Sequence, residues 1–438
     1  LKELIDYINS KVFEKIASLQ IFAVLARIVA GLLTSKAIAV FIGAEGLALI
    51  GNLRNFVQAS QTVASGGLYK GVVKYVGKFK DSTSELSKVI SSVFYTGFVS
   101  TVLVCFFCYL KAEWINDMVF PNYNDYTYVI KILAVALPFY ILNMFSFSIM
   151  NGFSKYKILI VINTIGQLLS VSIALILIYQ NKIDGALISV VIAESLIFLI
   201  TLVGIINSRS LVPLIKASMF SFGYLKKMHL FVLMALFAGV LLPLVTLAIR
   251  THIIENIGYK DAGFWEAMTR ISKYYLMFVT ALFTLYRLPE FVEKNDNKKF
   301  KKAILRFYKR MLPFLIIGLL LIYLLRKYIV LLVFTDEFHP VEDLFFWQLL
   351  GDFLKVLSIV VAYQFLAKKM FWHYVLTEAF LIITLYSSSI YFINLYNSIQ
   401  GAVIAHFVSY LMYFGIILFI FGASLFVVED GDDKRKQF

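Results

Sequence analysis

The sequence predicts an all-α polytopic membrane protein of about twelve transmembrane helices, in two six-helix lobes related by a parallel internal repeat. Three observations carry this prediction. Of 438 residues, 60% are hydrophobic and 16% charged, against about 45–50% and about 25% in a soluble domain. The apolar residues come in blocks of about twenty or more, the length of a spanning helix. The second half of the chain also repeats features of the first at a near-constant spacing. A mean hydropathy of +0.82 and 41 Phe agree. A soluble core cannot hide this much apolar surface, so lipid must be the solvent. That excludes a soluble enzyme, a disordered chain and a single-pass receptor with a large head. The block pattern excludes an outer-membrane barrel, whose strands alternate apolar and polar residues.

Element by element, residues 1–15 place Leu1, Leu4, Ile5, Ile8 and Val12 on one helical face with charges opposite. That is an amphipathic interfacial helix, and no secretory leader is evident there. Spans are expected at roughly 16–41, 46–73, 89–110, 127–150, 158–179, 184–206, 230–253, 262–288, 311–332, 344–366, 371–393 and 399–426. The domain reading is an N-terminal lobe at 16–207, a cytoplasmic linker at 208–229, a C-terminal lobe at 230–426 and a charged cytoplasmic tail at 427–438. With the N-terminus placed inside, the inside segments hold 26 Lys and Arg, while the outside loops hold five: Lys111, Lys182, Lys260, Arg326 and Lys327. This bias puts both termini in the cytoplasm. It also accounts for the net charge of +14 as a topology signal and an attraction to anionic lipid heads, with no nucleic-acid partner implied.

The duplication rests on aligned pieces. Ile183-Asp184-Gly185-Ala186-Leu187-Ile188 resembles Ile399-Gln400-Gly401-Ala402-Val403-Ile404. Gly46 opens the second span as Gly263 opens the eighth, and each is followed by a mid-span arginine, Arg54 and Arg270. An even number of spans repeated in tandem keeps its orientation, so the cleft should lie between the halves.

Polar stripes mark that cleft. Arg54, Gln58, Gln61 and Ser65 share one face of the second span, and Arg27, Gly31 and Thr34 one face of the first, with Gly31 leaving room beside the arginine. Glu266, Arg270 and Lys273 stripe the eighth span, and Gln348, Asp352 and Lys355 the tenth. Facing lipid, each charge would cost at least about 2.5–3.5 kcal/mol, so the stripes should line water. Glu266–Arg270 and Asp352–Lys355 can also be read as self-neutralising pairs that hold the bundle together. Arg27 and Arg54 have no acid within four residues, and the excess of unpaired arginine suggests an anionic substrate whose oxygens suit the guanidinium fork.

The candidate substrate contacts are therefore Arg27, Arg54, Gln58, Gln61, Arg270, Lys273, Gln348 and Lys355; Glu266, Asp352, Glu194 and Glu378 are candidates for ion coupling or pairing. Other features weigh less. Cys105 and Cys108 spell C-x-x-C inside an apolar run and read as packed thiols. His406 reads as a satisfied core histidine, Asp336-Glu337-Phe338-His339-Pro340 as a solvated turn, and the Lys- and Phe-rich 298–307 stretch as a basic interfacial helix. Pro138 and Pro243 should kink their spans. No catalytic set, metal site, cofactor motif or Walker motif is present in the sequence.

Three stretches carry a family likeness. They are Gly66-Gly67-Leu68-Tyr69-Lys70-Gly71-Val72-Val73-Lys74-Tyr75-Val76, Leu285-Tyr286-Arg287-Leu288-Pro289, and Trp347-Gln348-Leu349-Leu350-Gly351-Asp352-Phe353-Leu354-Lys355-Val356. They resemble the Wzx-type flippases of the O-antigen and enterobacterial common antigen branch, within the multidrug/oligosaccharidyl-lipid/polysaccharide exporter superfamily. The resemblance implies two six-helix lobes around a cationic cavity in the bacterial inner membrane. It implies movement of undecaprenyl-pyrophosphate-linked oligosaccharide from the cytoplasmic to the periplasmic leaflet by alternating access. On this reading the pyrophosphate sits on Arg27, Arg54 and Arg270, and the prenyl tail lies in a lateral gap between the lobes. The implied partners are the substrate, membrane lipids, and glycan polymerase and chain-length machinery. A multidrug/cation antiporter of the same superfamily and a membrane glycan polymerase or ligase are the alternatives. The first should have an acidic cavity, the second a large outside loop.

Overall fold

The computed structural model describes residues 2–208, 215–292, 297–367 and 370–426. Fifteen α-helices with short 3-10 and π segments account for almost all of them, and no strand occurs among them. The helices are α1 (Lys2–Phe41), α2 (Gly43–Ala64), α3 (Tyr69–Phe79), α4 (Thr83–Leu110), α5 (Ala112–Val119), α6 (Thr127–Gly152) and α7 (Tyr156–Ser208), then α8 (Phe222–Leu236), α9 (Leu242–Asn256), α10 (Tyr259–Val292), α11 (Asn297–Leu324), α12 (Arg326–Val333), α13 (Phe345–Ala367), α14 (Phe371–Tyr396) and α15 (Gln400–Phe426).

Among the described residues eight helical stretches are long and apolar enough to cross a membrane, and nine if the bent pair α11–α12 counts as one. Twelve is reached only by counting the two legs of α7, which breaks at Lys182 (φ 48°), and the more polar α2 and α10.

The boundaries differ from the expected ones where local chemistry intervenes. Helix α1 runs unbroken through residue 15, so no joint separates the amphipathic stretch from the first span. The expected second span is two helices. Gly66 and Gly67 take φ of 60° and 64°, a left-handed turn that a Cβ disfavours. The seventh span starts at Phe222, inside the expected linker, and passes through a π turn at Phe237–Leu241 before Pro243 opens α9. Its first half packs on the first lobe: Tyr224 and Met228 join Val72, Val76 and Val89 in one core. The Ser221 and Lys216 amides donate to Ser92 Oγ (2.8 Å) and Ser91 Oγ (2.9 Å). The ninth span bends by 70° between α11 and α12. Pro138 sits inside α6 as expected. The 427–438 tail and Arg209 lie outside the described residues.

The repeat is visible in packing. A Cβ on Gly185 would stand 1.9 Å from the Leu177 carbonyl oxygen, and one on Gly401 2.4 Å from that of Phe392. Both glycines therefore let a helix begin against the last turn of the helix before it. The same residue does the same work in both halves.

Burial is uneven along the bundle. At the end carrying the α1–α2 and α9–α10 turns, one core runs across both lobes, joining Leu47, Val119, Phe120 and Ile130 to Ile253, Phe264, Phe334 and Phe338. Tyr259 stacks edge-on against Tyr123 (5.4 Å), and its hydroxyl donates to the Pro121 carbonyl. The Lys36 ammonium donates to the carbonyls of Leu331 (2.8 Å) and Phe334, pinning α1 to the end of α12. Towards the other end the buried residues split into separate clusters, one in the second lobe and two centred on the first. The bundle is sealed at one end and cleft at the other.

Candidate functional site

Helices α2 and α10 descend side by side from the sealed end and form the seam between lobes. Glycine sets their approach: a Cβ on Gly263 would lie 2.0 Å from the Ala44 carbonyl oxygen. Further down, Gly51 leaves the space that ions fill, since a Cβ there would lie 2.8 Å from the Glu266 carboxyl carbon and 2.9 Å from the Arg250 guanidinium carbon.

Into that space three charged side chains converge. Arg250 Nη2 donates to Glu266 Oε2 (2.5 Å) and Arg270 Nε to Glu266 Oε1 (2.9 Å). Arg250 Nη1 donates across the seam to Asn52 Oδ1 (3.0 Å), and Asn52 Nδ2 to the Val119 carbonyl (3.0 Å). Arg250 also lies over the Trp265 ring at 5.2 Å. All three charges are at most 2% exposed. One carboxylate thus serves two guanidinium groups, and Glu266–Arg270 is a buried structural pair as well as part of the stripe. Removing one member of such a cluster costs about 3–5 kcal/mol, because the other charge is left buried and unpaired.

The seam stays positive below the triad. Arg54, partly exposed, lies in electrostatic reach of Arg270, Tyr274 and Glu266. Lys273 is exposed yet lies in reach of Glu266, Arg250, Arg270 and Arg54. Four cations therefore share one acid here. Donors are left over: Nη1 and Nη2 of Arg270, Nε of Arg250 and Nδ2 of Asn55 are buried without a protein acceptor. Buried donors of this kind call for water or an anion. Gln58 is exposed and Gln61 half-buried further along α2, whereas Ser65 is buried and bonds its own helix at the Thr62 carbonyl (2.9 Å).

Two expectations change in the first lobe. The space beside Gly31 belongs to Tyr274 of the other lobe, whose hydroxyl donates to the Gly31 carbonyl (2.8 Å) and contacts Ser35 Oγ (2.9 Å). Thr34 is buried and bonds back to the Ala30 carbonyl (2.9 Å), so it does not face the cleft. Arg27 has no acid within four residues on its own helix, but Glu194, exposed on α7, lies in reach of it and of Tyr140.

The second lobe holds a separate polar hub. Asp352, fully buried, accepts from Ser272 Oγ (2.5 Å), the Tyr275 hydroxyl and Gln348 Nε2 (3.2 Å) at one oxygen, and faces His406 Nε2 (3.0 Å) at the other. Lys355, one turn away, lies over the Tyr410 ring at 5.3 Å, in reach of Asp352 and Glu378. Glu378 accepts from the Tyr413 hydroxyl at 2.8 Å and lies in reach of Lys70 on the first lobe. The direct partners of Asp352 are thus three neutral donors and His406, and Lys355 contributes at longer range. His406 is more than a packed core residue. It reaches Asp352 because position 351 is glycine: a Cβ there would stand 2.3 Å from the His406 ring and 3.2 Å from the Phe407 Cα. Gly351→Ala should push the imidazole off the carboxylate and destabilise the protein by about 1–3 kcal/mol, the cost of a buried group losing its partner. Thermal unfolding in detergent checks this, and Gly351→Ala melting as the parent does would show that the contact is dispensable.

Apart from Gln58 and Gln61, further along α2, the predicted residues therefore fall into three groups. Arg54, Arg270, Lys273 and Glu266 meet at the seam, Arg27 and Glu194 face each other in the first lobe, and Gln348, Asp352, Lys355 and Glu378 belong to the second. The stripe rule missed Arg250, Asn52, Asn55, Ser272, Tyr275 and His406. Arg250 is legible in the sequence as an in-span arginine and His406 as a core histidine, while the others carry no charge signal. Among the described residues no cluster of His, Cys, Asp or Glu suited to a metal ion occurs. Cys105 is half-buried and Cys108 buried, both as free thiols.

Two lobes joined at a sealed end, with a charged cleft between them, define a transporter fold. The inward-facing conformation of a multidrug resistance MATE family transporter of the MOP superfamily superposes with a TM-score of 0.74, covering 93% of this chain and 98% of that one at 13% identity. The chain belongs to the polysaccharide biosynthesis protein family, whose profile matches residues 49–343. It is similar to the Lipid III flippase of Escherichia coli (strain K12), at 28% identity over 401 residues, 91% of this chain and 95% of that protein. It is also similar to a putative O-antigen transporter of Shigella flexneri, at 24% identity over 269 residues, 58% of this chain and 62% of that one.

Proposed function

We propose that the protein is a flippase that carries a lipid-linked oligosaccharide across the bacterial inner membrane, and is a transporter with no chemical step. The observation that carries this is the seam: four cations around one acid, two of them, Arg54 and Lys273, open to the cleft. A pyrophosphate on those two cations supplies the missing negative charge. Similarity to the Lipid III flippase supports the substrate class. The head group of an undecaprenyl-pyrophosphate glycan then lies on Arg54 and Lys273, backed by the buried charge of Arg270, with Arg27, Gln58 and Gln61 towards the open end. Gln348 and Lys355 serve the second lobe more than the head group, and Asp352, Glu378 and Glu194 are its candidates for ion coupling.

The excess of Lys and Arg in the segments at the cleft end supports a cytoplasmic location for that end and for both termini. The lobes rock about the seam so that the cleft opens alternately to each side. Polymerase and chain-length proteins, which consume the delivered glycan, are the expected neighbours. The antiporter reading is disfavoured because a drug cation would meet a positive seam. Proteoliposomes holding a labelled lipid-pyrophosphate glycan test the proposal. Label should become accessible at the opposite leaflet without any change in its covalent structure. A glycan that lengthens on one face without crossing would replace the flippase with a polymerase.

A further inference from the structure

A cavity of 580 Å³ opens in the first lobe, away from the charged seam. It lies between α4 and α6 over the junction of α2 and α3, and its volume is in the range of small-ligand sites. Its walls run from Val93 to Tyr109 along α4 and from Ala134 to Ser148 along α6. At 1.5 Å per residue that is roughly 20–25 Å, most of the roughly 30 Å hydrocarbon depth of a bilayer. The lining is almost wholly apolar, with Phe94 and Phe145 inside and Phe98 and Phe106 on the rim. Gly97 is buried on the α4 wall, yet a Cβ there would meet nothing within 4 Å. Close packing normally fills such a space; here two adjacent helices leave a slot along it.

One end of the slot lies near the charged residues of the first lobe. Tyr69 lines the cavity, and its hydroxyl accepts from Asn151 Nδ2 at 3.3 Å. Tyr69 also lies in reach of Tyr140, which faces Glu194, the neighbour of Arg27. A single aromatic layer therefore separates the apolar slot from the charged wall of the first lobe.

We propose that this slot binds the polyisoprenoid chain of the substrate while the head group occupies the seam. The assignment rests on the flippase reading. It moves the tail from a gap between lobes into the first lobe itself. A slot bounded by two neighbouring helices suits one long chain better than the paired acyl chains of a glycerolipid. Its Tyr69 end lies one aromatic layer from the charged wall, which brings the slot and the cleft within reach of one molecule.

The test uses Cys105, which lines the slot, in a Cys108→Ala background of the full chain in lipid nanodiscs. Alkylation by an apolar N-alkyl maleimide is timed with undecaprenyl pyrophosphate, inorganic pyrophosphate or extra phosphatidylglycerol added. Undecaprenyl pyrophosphate should slow alkylation at least about tenfold, and the other two should not. Gly97→Phe, which fills the slot, should weaken undecaprenyl pyrophosphate binding at least about tenfold and leave inorganic pyrophosphate binding unchanged. Equal protection by phosphatidylglycerol, or no protection, overturns the proposal. So does unaltered undecaprenyl pyrophosphate binding by a folded Gly97→Phe protein. If that variant does not fold, the Cys105 rates in the parent decide alone. Translocation of lipid-linked glycan is read separately, so a protein with Cys105 protected but no flipping keeps the slot and removes the flippase.

Discussion

Glu266→Gln should be among the most damaging single changes in the protein, lowering its stability by about 3–5 kcal/mol. The glutamine keeps the shape and a carbonyl acceptor but removes the charge that two buried arginines share. Arg250 and Arg270 are then left facing each other in a site that is at most 2% exposed. Water cannot relieve them, and the strain falls on α2, α9 and α10 together. The expected result is a sharp drop in membrane-inserted, monodisperse protein and in melting temperature. Adding Arg250→Met should recover part of the loss, because it removes the second guanidinium and leaves Arg270 on a neutral partner. If Glu266→Gln melts as the parent does, the cluster is held by hydrogen bonds alone and its charges are incidental to the fold.

Arg54→Ala should do the opposite: spare the fold and weaken transport. Arg54 is partly exposed to the cleft, and no salt bridge or hydrogen bond to another side chain is left broken by its removal among the described residues. Each charge-assisted hydrogen bond to a pyrophosphate oxygen is worth about 1.5–3 kcal/mol, so one lost contact weakens binding by roughly 10- to 150-fold. Arg54→Lys should rescue partly, keeping the charge and losing the fork. Arg27→Ala should act in the same direction with a smaller effect, since Glu194 already offsets that charge. The measurements are melting temperature, inserted protein and glycan translocation for each variant. Normal translocation by an Arg54→Ala, Arg27→Ala double variant would move the head group off this wall of the cleft. Loss of inserted protein would make Arg54 a structural residue.

These contrasts show what a linear sequence can and cannot reveal. Composition and block hydrophobicity are enough to give the solvent and the helical class. The Gly185 and Gly401 offset exposed the duplication because a helix start packed against a preceding carbonyl tolerates no Cβ in either copy. Within one helix, stripes at i, i+4 and i+7 brought Arg54, Glu266, Arg270 and Lys273 together at the seam, with Glu266 and Arg270 buried there. Pairing between helices is another matter. Arg250 and Glu266 are sixteen residues apart, and Asn52 and Arg250 almost two hundred. Their meeting depends on how closely α2 and α10 approach, which Gly51 and Gly263 set through the side chains they lack. Glycine gives no polar signal, so Arg27 and Asp352 looked alone or self-paired when their neighbours, Glu194 and His406, come from distant helices. The second span was read as continuous for a related reason. The paired glycines at 66–67 turn the chain without interrupting its apolar character.

The seam also bears on how far the two halves can be exchanged. Tandem lobes of common ancestry invite hybrid proteins, with one half taken from each of two relatives that carry different glycans. Here the first half contributes Gly51 and Asn52, and the second Arg250, Glu266 and Arg270, to a single charge-balanced unit. A graft at the 208–222 connection would divide that unit between parents. It would also part α8 from Val72, Val76 and Val89, on which it packs. A hybrid that swaps cargo must therefore carry its junction positions as a matched set, or be cut after α8 and repaired at position 52. In this architecture a half is exchanged together with its seam partners, not as a free-standing lobe.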